Sequence, residues 1–282
     1  MKKVWFITGA NRGFGRAFAE AAVARGDKVI AGMRKLPSDD PFYEQDVVLA
    51  VRADVTRADE VRQAAADGAA HFGRIDILVN NAGYGMSGAF EETSDEELRR
   101  LMETDYFGVV HTTRAVLPYM RQQERGMILN IASQGGLMGF PGSSAYCSAK
   151  FAVVGLSLVL REELAPFDIQ VAAVCPGSFR TEFRSASSMK FPQGKLAAYE
   201  GNAAHQAAQF LAENTHNQSG DPQKAAQFLC QIIDGDNLPA RILIGKDCCQ
   251  QVKADLHDQM QDIKRYEQAA SRTDFAASRT DF

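Results

Sequence analysis

The stretch Thr8-Gly9-Ala10-Asn11-Arg12-Gly13-Phe14-Gly15 decides the fold. It follows a short apolar run, Lys3–Thr8, that reads as a β-strand, and it opens Gly13–Arg25, which reads as an amphipathic helix. Glycines at such a junction permit a tight turn. They also remove the Cβ atoms that would keep a phosphate away from the N–H groups at the positive end of the helix. Glycines at this spacing could serve a purely structural turn, but the strand-turn-helix context favours a cradle for a dinucleotide pyrophosphate.

The same alternation continues outward. Lys28–Met33, Val47–Arg52, Asp76–Asn80, Met127–Ile131, Ile169–Cys175 and Arg241–Gly245 read as further strands, with helices between most of them, including Asp95–Arg121 and Ser143–Ala165. Strands apolar on both faces suit a sheet covered on each side. The expected fold is therefore α/β: a Rossmann-type, doubly wound parallel sheet of about seven strands with helices on both faces, in a single domain over residues 1–268. Only Ser178–Asp221 interrupts the rhythm. It carries Phe183, Met189, Phe191, Leu196, Tyr199 and Phe210 among polar residues and reads as a partly helical lid, the other reading being a structural or oligomer-forming insert. A tandem heptapeptide, Ala269–Phe275 repeated as Ala276–Phe282, is too short for a solenoid, so 269–282 is expected to be a mobile tail outside the fold.

With 282 residues, 45% of them hydrophobic, the chain can bury a sizeable core. A formal charge of −4 offers no basic field for nucleic acid or anionic lipid, so small molecules are the expected partners, without nucleic acid or membrane. The apolar run Val4–Ile7 is too short for a signal-peptide core, which points to a cytoplasmic protein. Five cysteines, Cys147, Cys175, Cys230, Cys248 and Cys249, lack metal-ligand spacing, and reduced thiols are expected in place of disulfides or a metal site. A redox pair at Cys248 and Cys249 is the alternative.

Tyr146 and Lys150 stand four residues apart in the expected helix Ser143–Ala165, which puts both side chains on one face. An unperturbed tyrosine, with a pKa of about 10, is a poor base at neutral pH, but a nearby ammonium stabilises its phenolate. Tyr-x-x-x-Lys alone is common on ordinary helices. Here Ser133 follows the Met127–Ile131 strand and precedes Tyr146 by thirteen residues.

Together these positions resemble the short-chain dehydrogenase/reductase family. The resemblance rests on Gly9-x-x-x-Gly13-x-Gly15, Asp54-Val55, Asn80-Asn81-Ala82-Gly83, Ser133, Tyr146-x-x-x-Lys150, and Pro176-Gly177 followed by Thr181. It covers residues 1 to about 181 in order, and more loosely continues to about 275. It implies that Gly9, Gly13 and Gly15, with Asn11, Arg12 and Phe14 in the same turn, cradle the pyrophosphate of a nicotinamide dinucleotide. Asp54 and Val55 would border the adenine, Asn81, Ala82 and Gly83 would floor the site, and Pro176, Gly177 and Thr181 would hold the nicotinamide end. Pro176-Gly177 alone would also read as a strand-ending turn.

The resemblance further implies interconversion of a carbonyl and an alcohol. Ser133 would bind the substrate oxygen, Tyr146 would pass the proton, and Lys150 would orient the nicotinamide ribose and lower the tyrosine pKa. Asp105 departs from the pattern, because the family usually has asparagine there, in a water-linked proton relay to the lysine. Aspartate keeps the shape but loses the amide donor. If ionised it favours the charged lysine; the plainer reading is that it accepts backbone hydrogen bonds in its helix.

Charge argues for the cofactor. An NAD site typically places an acid at the end of the second strand, whereas Ile30-Ala31-Gly32-Met33-Arg34-Lys35 has no carboxylate. Arg12 and Arg34 could converge on a 2′-phosphate, so NADP(H) is expected, unless the arginines lie on a solvated surface. Met86, Phe90, Phe140 and Phe179 join the lid aromatics in suggesting an apolar pocket, with core or subunit interface as the alternative. The expected protein is a carbonyl reductase for a hydrophobic ketone or aldehyde, assembled as a homodimer or homotetramer. The alternatives are a dehydrogenase running towards oxidation and an NADP-binding regulatory protein silenced by Asp105.

Overall fold

The computed structural model describes residues 2–235 and 237–275. In chain order the elements are β1 (Val4–Thr8), α1 (Gly13–Ala24), β2 (Lys28–Met33), β3 (Val48–Arg52), α2 (Ala58–Phe72), β4 (Ile77–Asn80), β5 (Gly85–Met86), α3 (Asp95–Met102), α4 (Gly108–Gln122), β6 (Gly126–Ile131), α5 (Ser144–Leu164), β7 (Ile169–Pro176), β8 (Met189–Lys190), α6 (Ala203–Glu213), α7 (Pro222–Ile233), β9 (Arg241–Ile244) and α8 (Lys246–Ala270). Seven strands form one parallel sheet in the order β3-β2-β1-β4-β6-β7-β9, and β5 and β8 pair separately. The order reverses direction beside β1, where β1 pairs with β2 on one side and β4 on the other, which opens the crevice in which such sheets bind ligands.

Alternation along β1 divides the core. Trp5 and Ile7 face the layer holding Phe18 of α1 and Leu229 of α7, while Val4 and Phe6 face the layer holding Val61 of α2, Val116 of α4 and Leu164 of α5. Each of these buried side chains contributes roughly 1.5–3 kcal/mol from burial. A buried polar chain crosses the second layer: the Asn80 amide donates to Asn130 Oδ1 (2.8 Å) and Thr113 Oγ1 (3.0 Å), and the Asn130 amide donates to Ser157 Oγ (2.9 Å). It fastens β4 and β6 to α4 and α5.

One sequence expectation changes. Asp95–Arg121 is helical throughout, as expected, but it is not a regular α-helix, because a π-helical turn, Glu103–Phe107, interrupts it between α3 and α4. The extra residue in that turn carries Asp105 into the interior, where the residue is fully buried. In the first heptapeptide copy Ala269 and Ala270 end α8 and Ser271–Thr273 form a further short turn, all of them exposed. The second copy, Ala276–Phe282, lies outside the described residues. Ser144–Phe167, with α5 at its core, is long and apolar enough to span a bilayer by length and composition alone, a test that the core helix of a soluble protein also passes. Its Val153 and Val154 pack with Ala173 and Cys175 of β7.

Candidate active site

The glycine turn is built for an anion. Gly9 and Gly13 adopt positive φ (+64° and +53°), a conformation other residues enter at a cost. A Cβ on Gly15 would stand 2.2 Å from the Gly9 carbonyl oxygen, so α1 packs directly against the turn. Among the described residues no side chain caps the start of α1, and no acidic side chain lies in its first turn. Its leading N–H groups therefore remain available to a pyrophosphate. That open cradle fits a dinucleotide.

Thr8, which the sequence reading passed over, braces this turn. Its Oγ1 accepts from the N–H groups of Asn81 (2.9 Å) and Ala82 (3.0 Å), while the Asn81 amide donates to the Thr8 (2.9 Å) and Gly9 (3.3 Å) carbonyls. Asn81 and Ala82 thus join β4 to the turn as well as flooring the site. Gly83 continues to the Asp105 carboxylate, 3.0 Å from where its Cβ would be.

The remaining cofactor-site positions separate. Asn11 is exposed, and the Phe14 ring turns inward, 5.5 Å from Phe18 and 5.0 Å from Phe179, so only its backbone faces the cradle. Phe179 is accordingly core and not pocket wall. Asp54 Oδ1 accepts from Thr56 N (3.0 Å) and Oγ1 (2.8 Å), closing the turn into α2; buried Val55 gives its carbonyl to His111 Nδ1 (2.9 Å). Pro176 ends β7, Gly177 abuts Asp247 at the start of α8, and Thr181 lies beside Gly13. The lid thereby reaches the glycine turn.

Arg12 and Arg34 belong to tied segments. Ala10 N donates to the Gly32 carbonyl (3.2 Å), linking the turn to the end of β2, after which Arg34 is exposed. Arg12 itself donates to Ser187 Oγ in the lid (2.6 Å). A carboxylate does follow β2 farther on: Asp40 pairs with Arg16, whose hydrogen bonds hold it below the usual carboxylate range.

At the opposite side of the crevice, α5 brings Tyr146 and Lys150 together, with Lys150 Nζ 5.7 Å from the tyrosine ring centre. Lys150 is buried, donates to the Ile131 carbonyl (3.1 Å) and pairs with Asp105 Oδ2 at 3.1 Å. Asp105 Oδ1 accepts Tyr84 N–H (3.0 Å), a backbone donor outside its own helix, while Oδ2 pairs with the lysine. Ser133 follows β6 and its Oγ accepts Gly135 N–H (3.0 Å), in a turn that also borders Tyr146.

Burial dominates the protonation of this group. It pushes the Tyr146 phenol up, against the downward pull of Lys150 and Ser133. The downward pull expected of Lys150 is present, but without a cofactor burial outweighs it. Burial also pushes the Asp105 carboxyl up, against Lys150. For Lys150, burial favours the neutral amine, but Asp105 and Tyr146 outweigh it and the net direction is upward.

The lid, 178–221, rests on the sheet end through the β5–β8 pair and through Glu92. That carboxylate is buried and accepts from Leu196 N (2.8 Å) and His205 Nε2 (2.9 Å). A cavity of about 510 Å³ between the lid and the Ser87–Glu92 segment is lined by Ser87, Phe191, Pro192, Leu196, His205 and Gln209, among others, a mixed set that does not include Ser133, Tyr146 or Lys150. Phe183 reaches the Tyr146 ring (5.7 Å), and Met86 packs in the cluster containing Tyr146, whereas Phe90 and Phe210 are exposed.

The sequence profile of the short chain dehydrogenase family matches residues 3–190. Oxidoreductase BOA17 of Botryotinia fuckeliana is 38% identical over 89% of this chain and 91% of that protein. A 3-ketodihydrosphingosine reductase of Bacteroides thetaiotaomicron is 36% identical over 86% of this chain and 88% of that protein. Among solved structures, a short-chain dehydrogenase from Streptomyces avermitilis has a TM-score of 0.89 at 39% identity, covering 98% of this chain and 100% of its own. One from Burkholderia phymatum in complex with NAD has a TM-score of 0.76 at 26% identity, covering 92% and 95%. Another from Burkholderia cenocepacia in complex with NADP has a TM-score of 0.71 at 25% identity, covering 94% and 97%. The chain belongs to the short-chain dehydrogenase/reductase family and is an oxidoreductase of that family.

Proposed function

We propose that the protein is an NADP(H)-dependent carbonyl reductase acting on a hydrophobic ketone or aldehyde. The observation that carries this reading is the placement of Ser133, Tyr146 and Lys150 across the crevice from the open glycine cradle. When bound, the nicotinamide dinucleotide supplies the hydride for the carbonyl carbon. The Ser133 hydroxyl holds the substrate oxygen, and Tyr146 Oη delivers the proton to it. Lys150 holds the nicotinamide ribose and keeps Tyr146 in place.

Arg12, at the turn tied to β2, and Arg34, immediately after that strand, support NADP(H), since both carry the charge a 2′-phosphate requires. The complexes of two relatives, one with NAD and one with NADP, support a nicotinamide dinucleotide in general. The relative named for a 3-keto substrate supports reduction of a ketone. A screen of hydrophobic ketones and aldehydes, following cofactor oxidation with NADPH and with NADH, tests this reading. No turnover on any of them, despite calorimetric binding of NADPH, would favour the regulatory alternative.

We place the protein in the cytoplasm as a homodimer or homotetramer. Phe107, beside α4, and Phe151 and Val159 on α5 are exposed apolar side chains suited to a symmetric contact. Sedimentation showing only monomer at micromolar concentration would remove the assembly.

A further inference from the structure

Asp105 brings a buried carboxyl group into contact with the proton-transfer centre. The π-helical turn Glu103–Phe107 brings it against α5, where its Oδ2 meets Lys150 Nζ at 3.1 Å and the Tyr84 N–H anchors Oδ1. Other groups face this centre from each neighbouring element. Tyr84, ahead of β5, is pushed by burial up to about 12. Cys147 on α5 is raised by burial, and Cys175 on β7 is pushed by burial up to about 12, so both are neutral thiols at neutral pH. On α3, Glu97 and Arg100 act on Tyr84 with opposite signs. The groups left to act on Tyr146 with opposite signs are therefore Lys150 and Asp105; burial raises the Asp105 carboxyl, and the Lys150 ammonium 3.1 Å away favours its ionised form.

We infer that Asp105 is a positioning residue, a counter-charge that keeps both Tyr146 and Lys150 protonated. The resting centre then holds a phenol ready to give a proton to a carbonyl oxygen, not a phenolate ready to take one from an alcohol. This rests on the assignment of Tyr146 as proton donor. Tyr146 and Lys150 titrate as a coupled pair, and the first proton to leave belongs to the pair. A buried negative charge beside them raises the pH at which that proton leaves, whichever side chain releases it. Asparagine at 105 removes the charge and keeps an oxygen for the Tyr84 N–H.

Two measurements test the counter-charge. Ultraviolet titration of tyrosine ionisation in cofactor-free protein, taken as wild type minus Tyr146→Phe, should show Tyr146 un-ionised until about pH 10 or above. The rate of carbonyl reduction at saturating NADPH should fall only in alkali, and Asp105→Asn should bring that fall roughly one to three pH units lower. An unmoved Asp105→Asn profile beside an inactive Tyr146→Phe enzyme overturns the counter-charge alone. Retained turnover in Tyr146→Phe overturns the donor assignment and this inference with it. Should Asp105→Asn fail to fold, the wild-type titration decides: ionisation of Tyr146 near neutrality rejects the counter-charge.

Discussion

Gly15 approaches Gly9 so closely that a methyl group on Gly15 would lie 2.2 Å from the Gly9 carbonyl oxygen. The obstructing atom is backbone and cannot rotate away. Gly15→Ala should therefore open the turn, costing about 1–3 kcal/mol of stability and most of the dinucleotide affinity. Calorimetry and denaturant unfolding check this; wild-type affinity in the variant would contradict the cradle.

Tyr146→Phe preserves the ring and its packing against Phe183 while deleting the atom assigned to proton transfer. Turnover should fall at least ~100-fold with dinucleotide affinity and fold retained. Single-turnover measurements on an established substrate give the answer directly, and near-normal rates would exclude the donor role.

Lys150→Ala leaves the fully buried Asp105 carboxylate without its cation. Removing one member of such a pair typically costs about 3–5 kcal/mol. The Lys150→Ala, Asp105→Asn double variant should regain part of that loss in urea unfolding. Additive losses would show that the two side chains do not interact energetically.

Replacing both Arg12 and Arg34 with alanine should erase a preference for NADPH over NADH. Arg12 also donates to Ser187, so the double variant should loosen the lid as well. An unchanged ratio of the two affinities would show that these arginines do not read the 2′-phosphate.

Glu92 sets an acid limit on the lid. Leu196 N–H and His205 hold its folded carboxyl below the usual range. A depressed carboxyl contributes stability that is complete above its free value of about 4.3 and is lost as pH falls through the lower, folded value. Limited proteolysis of the lid should accelerate across that acid window, and Glu92→Gln should accelerate it at neutral pH too. Equal cleavage of wild type and variant at neutral pH would assign the lid's anchorage elsewhere.

The seven strands of the main sheet were legible in the sequence as short apolar runs rich in β-branched residues, whereas the two-residue strands β5 and β8 carry no such run. Lys28–Met33 falls on β2 with no shift, and the others of the main sheet shift by a residue or so. Tyr146 and Lys150 were legible through helical spacing. The π-helical turn was not: one extra residue leaves the apolar spacing on either side intact, so Asp105 read as an ordinary helix position. Phe14 and Phe179 read as site residues because of their neighbours in sequence, while the core that claimed them is assembled from distant segments. Thr8 carries no local signal, since its two hydrogen-bond donors come from residues more than seventy positions away.

The chain of short side chains from Asn80 through Asn130 to Ser157 has a consequence for how this architecture diversifies. Because β4, β6 and α5 are pinned to one another behind the crevice, α5 cannot slip by a turn along the sheet without breaking buried hydrogen bonds. The spacing between Ser133 and Tyr146 is thereby insulated from changes in the segments above it. Lengthening or rewriting 178–221 would alter which molecules gain entry while leaving the reacting groups in register, so selectivity can drift at constant chemistry.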